Sequence, residues 1–202
     1  VNIQTGILID LLRNNQWLQQ CEEVSGLVPT GYWQQFTAAY HSLNRKALFI
    51  SRVHGVDHVE RVMLFGTLLA HGCGLSEEDV DLLLQVCSYH DVGRVNDGFD
   101  LVHGFRASLR LAKLTKLEGE NLIIARAITH AHSIPDREME TVVNSYQVAD
   151  VERCLTLGRI FKDADGLDRV RIRDLDPAFM RTEPAKRLTA FSEKIWQLYC
   201  EP

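Results

Sequence analysis

The sequence predicts an all-α fold. Apolar residues recur at helical spacing in one segment after another, and no stretch shows the strict alternation of a half-buried strand. Glycine or proline stands where most of these segments should end. About eight helices account for the chain, and no internal repeat or low-complexity tract interrupts them.

The first helix is expected over Thr5–Glu23, where Ile7, Leu8, Leu11, Leu12 and Leu18 approximate one stripe, with Gly26 and Pro29 as punctuation. The second runs from Thr30 to Asn44 and takes its apolar bulk from Tyr32, Trp33, Phe36 and Tyr40. Neither carries recognisable chemistry, so the pair is expected to cover the rest of the domain or to form part of a homodimer contact. A turn at Gly55 opens a third helix that runs to His71 and ends at Gly72 and Gly74. Ser76-Glu77-Glu78-Asp79 opens the fourth, with Ser76 as its N-cap and acids in the first turn. That helix reaches His90, and the chain then turns at Gly93. After a polar loop, His103 leads a helix through Lys113; another spans Glu118 to Ala131 and stops before Pro135. A short helix over Glu138–Tyr146, a longer one over Val151–Arg169 and a last one over Glu183–Cys200 complete the chain.

Residues 1–48 therefore read as an N-terminal helical extension packed on a single compact unit, residues 49–202. With 46% hydrophobic and 24% charged residues, the composition is that of a globular protein with a sizeable core. The net charge of −5 argues against a general nucleic-acid binder. No apolar run approaches the ~18 residues of a membrane span. Cys21, Cys73, Cys87, Cys154 and Cys200 are odd in number, widely spaced and never in a CxxC pair. Reduced thiols in the cytoplasm are expected, not a disulfide framework or a thiolate zinc site. No leader pattern is visible, and Val1 in place of Met leaves room for a short preceding piece.

The chemistry centres on Ser88-Tyr89-His90-Asp91-Val92-Gly93-Arg94. A histidine beside an aspartate at a helix end offers an imidazole nitrogen and a carboxylate oxygen to a divalent metal. Two adjacent residues cannot close such a site, and in a helical bundle the remaining ligands must come from other helices. His58 and Asp165 lie on two further predicted helices, and Ala164 and Gly166 beside Asp165 leave room for an ion. Each residue also has a plain structural role open to it. His58 suits a half-buried core position, Asp91 a turn, and Asp163, Asp165 and Asp168 a solvated acidic face.

The ordered set His58-Val-Glu-Arg-Val62, His90-Asp91-Val92-Gly93-Arg94 and Asp163-Ala-Asp-Gly-Leu-Asp168 resembles the HD-domain superfamily of metal-dependent phosphohydrolases. The resemblance covers Val53 to Arg171 and implies an HD-type helical bundle, here with an N-terminal helical extension and a C-terminal helix. It implies that His58, His90, Asp91 and Asp165 hold a metal, with Asp165 preferred over Asp163 because it follows a small residue. Where the family holds two ions, the doublet aspartate bridges them and two more histidines serve the second. His103 resembles the first of these, and His132 or His130 the other, with His132 in the more family-like context. The two lie about 200° apart on a regular helix, so only one can face the ion.

The activity this implies is hydrolysis of a phosphate ester, a small phosphorylated substrate of the nucleotide class, by metal-activated water. One or two divalent transition ions are implied, and the ligand types suit Fe, Mn, Co, Ni or Zn. Asp91, Asp165 and Arg94 are the catalytic candidates; Arg94, Arg106 and Lys162 are the cations that could meet substrate phosphate. The same ligand set supports two alternatives, a di-iron oxygenase and a non-catalytic metal-binding sensor. Val95-Asn96-Asp97 stands where the alarmone-hydrolysing branch has an acidic pair, and the glycine-tyrosine-proline signature of the cyclic-dinucleotide branch is absent. His54 and Asp57, which flank His58, suit either support of a ligand or ordinary capping and solvent exposure.

Overall fold

The structure, a computed structural model, describes residues 6–200. Among the described residues there are thirteen α-helices, three short 3-10 segments and no strand. The helices are α1 (Leu8–Asn14), α2 (Gln16–Gln20), α3 (Glu22–Leu27), α4 (Gly31–Ser42), α5 (Val56–Cys73), α6 (Glu77–Tyr89), α7 (His103–Ser108), α8 (Leu111–Leu114), α9 (Gly119–Ala131), α10 (Asp136–Ser145), α11 (Val151–Leu167), α12 (Glu183–Arg187) and α13 (Thr189–Cys200).

The bundle is arranged about α5, which is buried almost all round from Val56 to Ala70. A helix without a polar face belongs inside a domain. It packs against α4, α6 and α11, and α9 closes the far side by packing on α6, α7 and α11. Gly55 allows the entry to α5, because a Cβ there would lie 2.0 Å from Ser51 O. Gly74, at φ 66° in the left-handed region, ends it. Ser76 caps α6 as expected, its Oγ accepting from Asp79 N at 3.2 Å.

The count of helices exceeds the nine segments laid out above because three of those segments are broken. The N-terminal helix predicted over Thr5–Glu23 is three short helices, and its expected start at Thr5 lies outside the described residues. The side chain of Asn15 accepts from Leu18 N at 3.1 Å and starts α2 afresh. An asparagine competes with the helix for its own backbone and gains more as a cap. Cys21 is extended, at φ −66° and ψ 145°, and α3 begins after it and runs through Gly26. The segment after His103 breaks at Leu109 and Arg110, where Arg110 turns its guanidinium to Val92 O. The last helix breaks at Leu188.

Two glycines set the distance of α7 from its neighbours. A Cβ on Gly93 would lie 2.1 Å from His103 O, and one on Gly104 would lie 2.6 Å from Thr129 O and 2.8 Å from His130 O. The contacts are to backbone, which cannot swing aside. Gly104→Ala should therefore cost about 1–3 kcal/mol by forcing α7 away from α9. Gly26→Ala in α3, with open space around the new methyl, should be neutral or stabilise by about 0.5–1 kcal/mol. Thermal unfolding of the two variants checks this contrast.

Candidate metal centre

The site is built from helix ends and from one face of α5. His58 stands in the first turn of α5, His90 and Asp91 follow the last turn of α6, and His103 opens α7. His132 follows the end of α9, and Asp165 lies in the last turn of α11. The C-terminal ends of α6 and α9 leave carbonyl groups unpaired, and His90 and His132 use them, while His103 uses a carbonyl of the loop before α7. His90 Nδ1 donates to Cys87 O at 2.9 Å, His132 Nδ1 to Thr129 O at 2.5 Å, and His103 Nδ1 to Asp100 O. His58 Nδ1 donates to the Asp168 carboxylate at 2.7 Å. A carbonyl or carboxylate oxygen can only accept, so all four Nδ1 atoms carry the hydrogen.

The four Nε2 atoms therefore point inward with their lone pairs free, if the rings are neutral. His58 Nε2 lies 3.1 Å from His90 Nε2, and His103 Nε2 lies 2.9 Å from His132 Nε2. Burial, with Arg171 beside it, pushes the His58 pKa down to about 4, and burial lowers that of His132. Two lone pairs cannot face one another at such distances without a cation or proton between them. The donor set thus fits a metal.

The carboxylates complete two groups. His58, His90 and Asp165 form one and Asp91, His103 and His132 the other; within each, the ligand atoms lie within 4.8 Å of one another. Asp91 spans both. Its Oδ2 lies 3.5 Å from His58 Nε2 and 3.6 Å from His90 Nε2. Its Oδ1 lies 3.2 Å from His103 Nε2 and 3.7 Å from His132 Nε2. Asp165 Oδ1 lies 3.4 Å from His58 Nε2. Burial works against both charges, yet His90 beside each, with further imidazoles, holds both below the usual carboxylate range. His130 turns its Nδ1 to Tyr146 Oη at 3.2 Å, on the far side of α9.

The acidic face is not solvated as a sequence reading allows: Asp163 and Asp168 are fully buried. Their counter-ions are distant in sequence. Asp168 accepts from Arg61 Nε at 2.6 Å and Arg61 Nη2 at 3.0 Å. Asp163 accepts from Arg181 Nη1 at 3.0 Å and from the backbone N–H of Arg181 and Thr182. Arg61 is itself held between Trp196 and Tyr199 of α13, with centroid distances of 5.0 and 4.5 Å. Arg61, Asp168 and Arg171 were not among the sequence candidates. The signal available was spacing, since Arg61 follows His58 and Asp168 follows Asp165 by three residues on neighbouring helix faces. His54, for which solvent exposure was one reading, is 7% exposed. It donates from Nδ1 to Asp97 Oδ1 at 2.8 Å, and its ring meets that of His58 edge-on.

The predicted cations occupy different settings. Arg94 Nε donates to Asp91 Oδ1 at 2.9 Å, which puts its guanidinium at the shared carboxylate. Arg106 points elsewhere, donating to Gly93 O at 2.8 Å and pairing with Asp100. Lys162 is buried and lies 2.7 Å from Asp136. A cavity of ≈ 320 Å³ opens from Asp165 and His132 and is walled by Lys162, Arg181, Phe179 and Met180 among others.

Among the described residues no helix is long and apolar enough to cross a membrane. The family model described as HD domain matches residues 55–170, the stretch that holds both ligand groups. No curated protein and no solved structure matches the chain.

Asp168→Asn should keep an acceptor for His58 but leave the buried Arg61 charge unpaired, a loss of about 3–5 kcal/mol. It should also weaken metal binding by about 10- to 100-fold through looser orientation of His58; denaturant unfolding and metal titration check the two effects. His58 takes its proton near pH 6.5 in the unfolded chain but near pH 4 in the fold. Across that window the unfolded state binds the extra proton, so stability falls as the pH drops. The Tm of chelator-treated protein should decline from pH 6.5 to 4; a flat profile would show that His58 is not buried in its neutral form.

Proposed function

The chain belongs to the HD-domain family, a superfamily of metal-dependent phosphohydrolases, and on that premise we propose that it hydrolyses a phosphate ester, a nucleotide, by metal-activated water. The observation that carries this reading is the pair of ligand groups meeting at Asp91. In it, His58, His90 and Asp165 would hold one divalent ion and Asp91, His103 and His132 a second, with the two Asp91 oxygens turned toward the two groups. Imidazole and carboxylate suit iron, manganese, cobalt, nickel or zinc. When bound, such ions lower the pKa of water and clamp the phosphoryl oxygens.

The chain's own residues do the rest. Asp165, with a side chain 29% exposed, is the carboxylate that solvent reaches and the one placed to take the water's proton. Arg94 stands at Asp91 and offers guanidinium hydrogens to the phosphoryl oxygens. The cavity beyond Asp165 has the size for an organic leaving group, and Phe179, 74% exposed on its wall, supplies a flat apolar face for a base. Arg106 is the weakest of the three cations, because Gly93 O and Asp100 already occupy it. A reducing cytoplasm suits Cys21, Cys73, Cys87, Cys154 and Cys200, all free thiols.

The two-group arrangement also suits a pair of irons, so an oxygenase is the second reading. Elemental mass spectrometry on protein purified without chelator or metal-affinity resin decides between them, with assays of p-nitrophenyl phosphate and a nucleotide panel in manganese, cobalt or nickel. Bound metal with turnover is the expected result. Two irons without phosphatase activity would favour the oxygenase, bound metal without any turnover a sensor, and no metal would overturn the site.

Asp91→Ala should lose both ions. His132→Ala should lose about one ion and His130→Ala none, since His130 faces Tyr146; metal analysis of the three variants checks the assignment. Arg94→Ala should lower kcat by about a hundredfold, with metal content unchanged because a guanidinium has no lone pair to offer a cation.

A further inference from the structure

The outer face of α7 and of the loop before it has no partner among the described residues. The inner residues of α7, His103, Gly104, Ala107 and Ser108, are buried, and the helix packs on α9. Backbone bonds from Arg106 N to Val102 O at 3.0 Å and from Leu109 N to Phe105 O at 3.4 Å carry the helical turn on to either side. Leu101, Phe105 and Leu109 therefore recur every four residues on one side, with Val102 beside them, and all four are exposed. Phe99, just ahead, is 92% exposed, and Val95 is exposed in the same loop. An outward helix face is ordinarily polar. Here the two arginines that could make it so turn back. Arg106 donates to Gly93 O at 2.8 Å and pairs with Asp100, and Arg110 donates to Val92 O. Of the twelve large apolar side chains exposed among the described residues, six fall in this one stretch, 95–109, and the others are scattered over separate elements.

We infer that this face pairs with the same face of a second copy of the chain, making a two-fold homodimer. The six side chains together expose about 600 Å², at the upper limit of what a monomer ordinarily leaves open. Two such faces bury about 1,200 Å² on meeting, the low end of what a specific, stable interface takes. Phe99 and Phe105 are the aromatic anchors that such an interface needs. Charge also points to self-pairing. Asp97 is taken by Ser51 and His54, Asp100 by Arg106 and Arg94 by Asp91. A partner recognised by charge would find no free group here, whereas two copies can meet without desolvating a charge that lacks a partner. A two-fold pair needs one self-complementary patch and no second surface. The N-terminal helices, the other candidates for a homodimer contact, expose Ile7, Trp17 and Val28 singly on separate elements. The loop that a second copy would cover reaches the candidate centre from its inner side, through Arg94 at Asp91, Asp97 at His54 and Asp100 O at His103 Nδ1.

The test is the mass of the full chain in solution, by light scattering and sedimentation, from about 1 to 100 μM. The expected result is about twice the 23.0 kDa of one chain. In the double variant Phe99→Glu with Leu109→Glu, carboxylates from both copies meet across the two-fold axis, and the dimer Kd should rise by about thirtyfold or more. Phe99→Ser alone, at a side chain outside the core, should raise it by about tenfold; it carries the test if circular dichroism shows the double variant unfolded. Val28→Glu, on the N-terminal helices, should leave the Kd unchanged. A monomer at every concentration overturns the inference, and a monomer that sediments with phosphatidylcholine vesicles gives the face to a lipid surface instead. A dimer that Phe99→Ser leaves intact, or that Val28→Glu breaks, places the contact elsewhere and also overturns it. These outcomes are independent of the hydrolase reading, which stands or falls by turnover.

Discussion

A single buried carboxylate, Asp168, holds the frame of the candidate centre. It accepts from His58 on α5, from Arg61 one turn further along the same helix, and lies at the end of α11. Burying an arginine and an aspartate costs several kcal/mol per ion, and their attraction returns that only where geometry and further hydrogen bonds are good. Here Arg61 offers two N–H groups to the two oxygens, and burial notwithstanding, Arg61 brings the Asp168 pKa down to about 2. The result is less a source of net stability than a fixed register between α5 and α11. That register leaves His58 one tautomer, with Nε2 toward Asp91 and Asp165.

The other three imidazoles reach the same state more simply. Each spends its Nδ1 hydrogen on a carbonyl three residues back, at or near the end of its own helix segment or turn. A helix end supplies such carbonyls without cost to the ladder. The site therefore sits where α6, α7, α9 and α11 begin or end, and α7 can come close enough only because Gly93 and Gly104 lack side chains. Fold and candidate chemistry share one requirement, close approach of backbone.

The helices around the centre are legible in the sequence because their punctuation is local. Gly55, Gly74 and Ser76 act on residues within a turn of themselves. The breaks at Asn15, Cys21 and Leu188 are not legible, since the apolar stripe continues past them and only the competition between cap and helix decides. The histidines and aspartates of the centre can be picked out by type and order. What surrounds them cannot: Asp168 reads as part of an acidic face until a partner 107 residues away is known. Likewise His54 looks solvent-facing until Asp97, 43 residues on, is folded against it. Side chains whose role is to hold another side chain leave no local pattern.

The packing of Arg61 between Trp196 and Tyr199 bears on the order in which this chain can mature during synthesis. His58 leaves the ribosome early, but the aromatic rings that fix its supporting arginine come at the very end of the last described helix. Contacts of such sequence separation form late, after their loop-closure entropy has been met. Until residue 199 is in place, the nascent chain carries His58 without the complete frame that aims it, while His90, His103 and His132 have their carbonyl partners three residues back. The last helix therefore completes the support of a ligand candidate that lies in the first turn of α5.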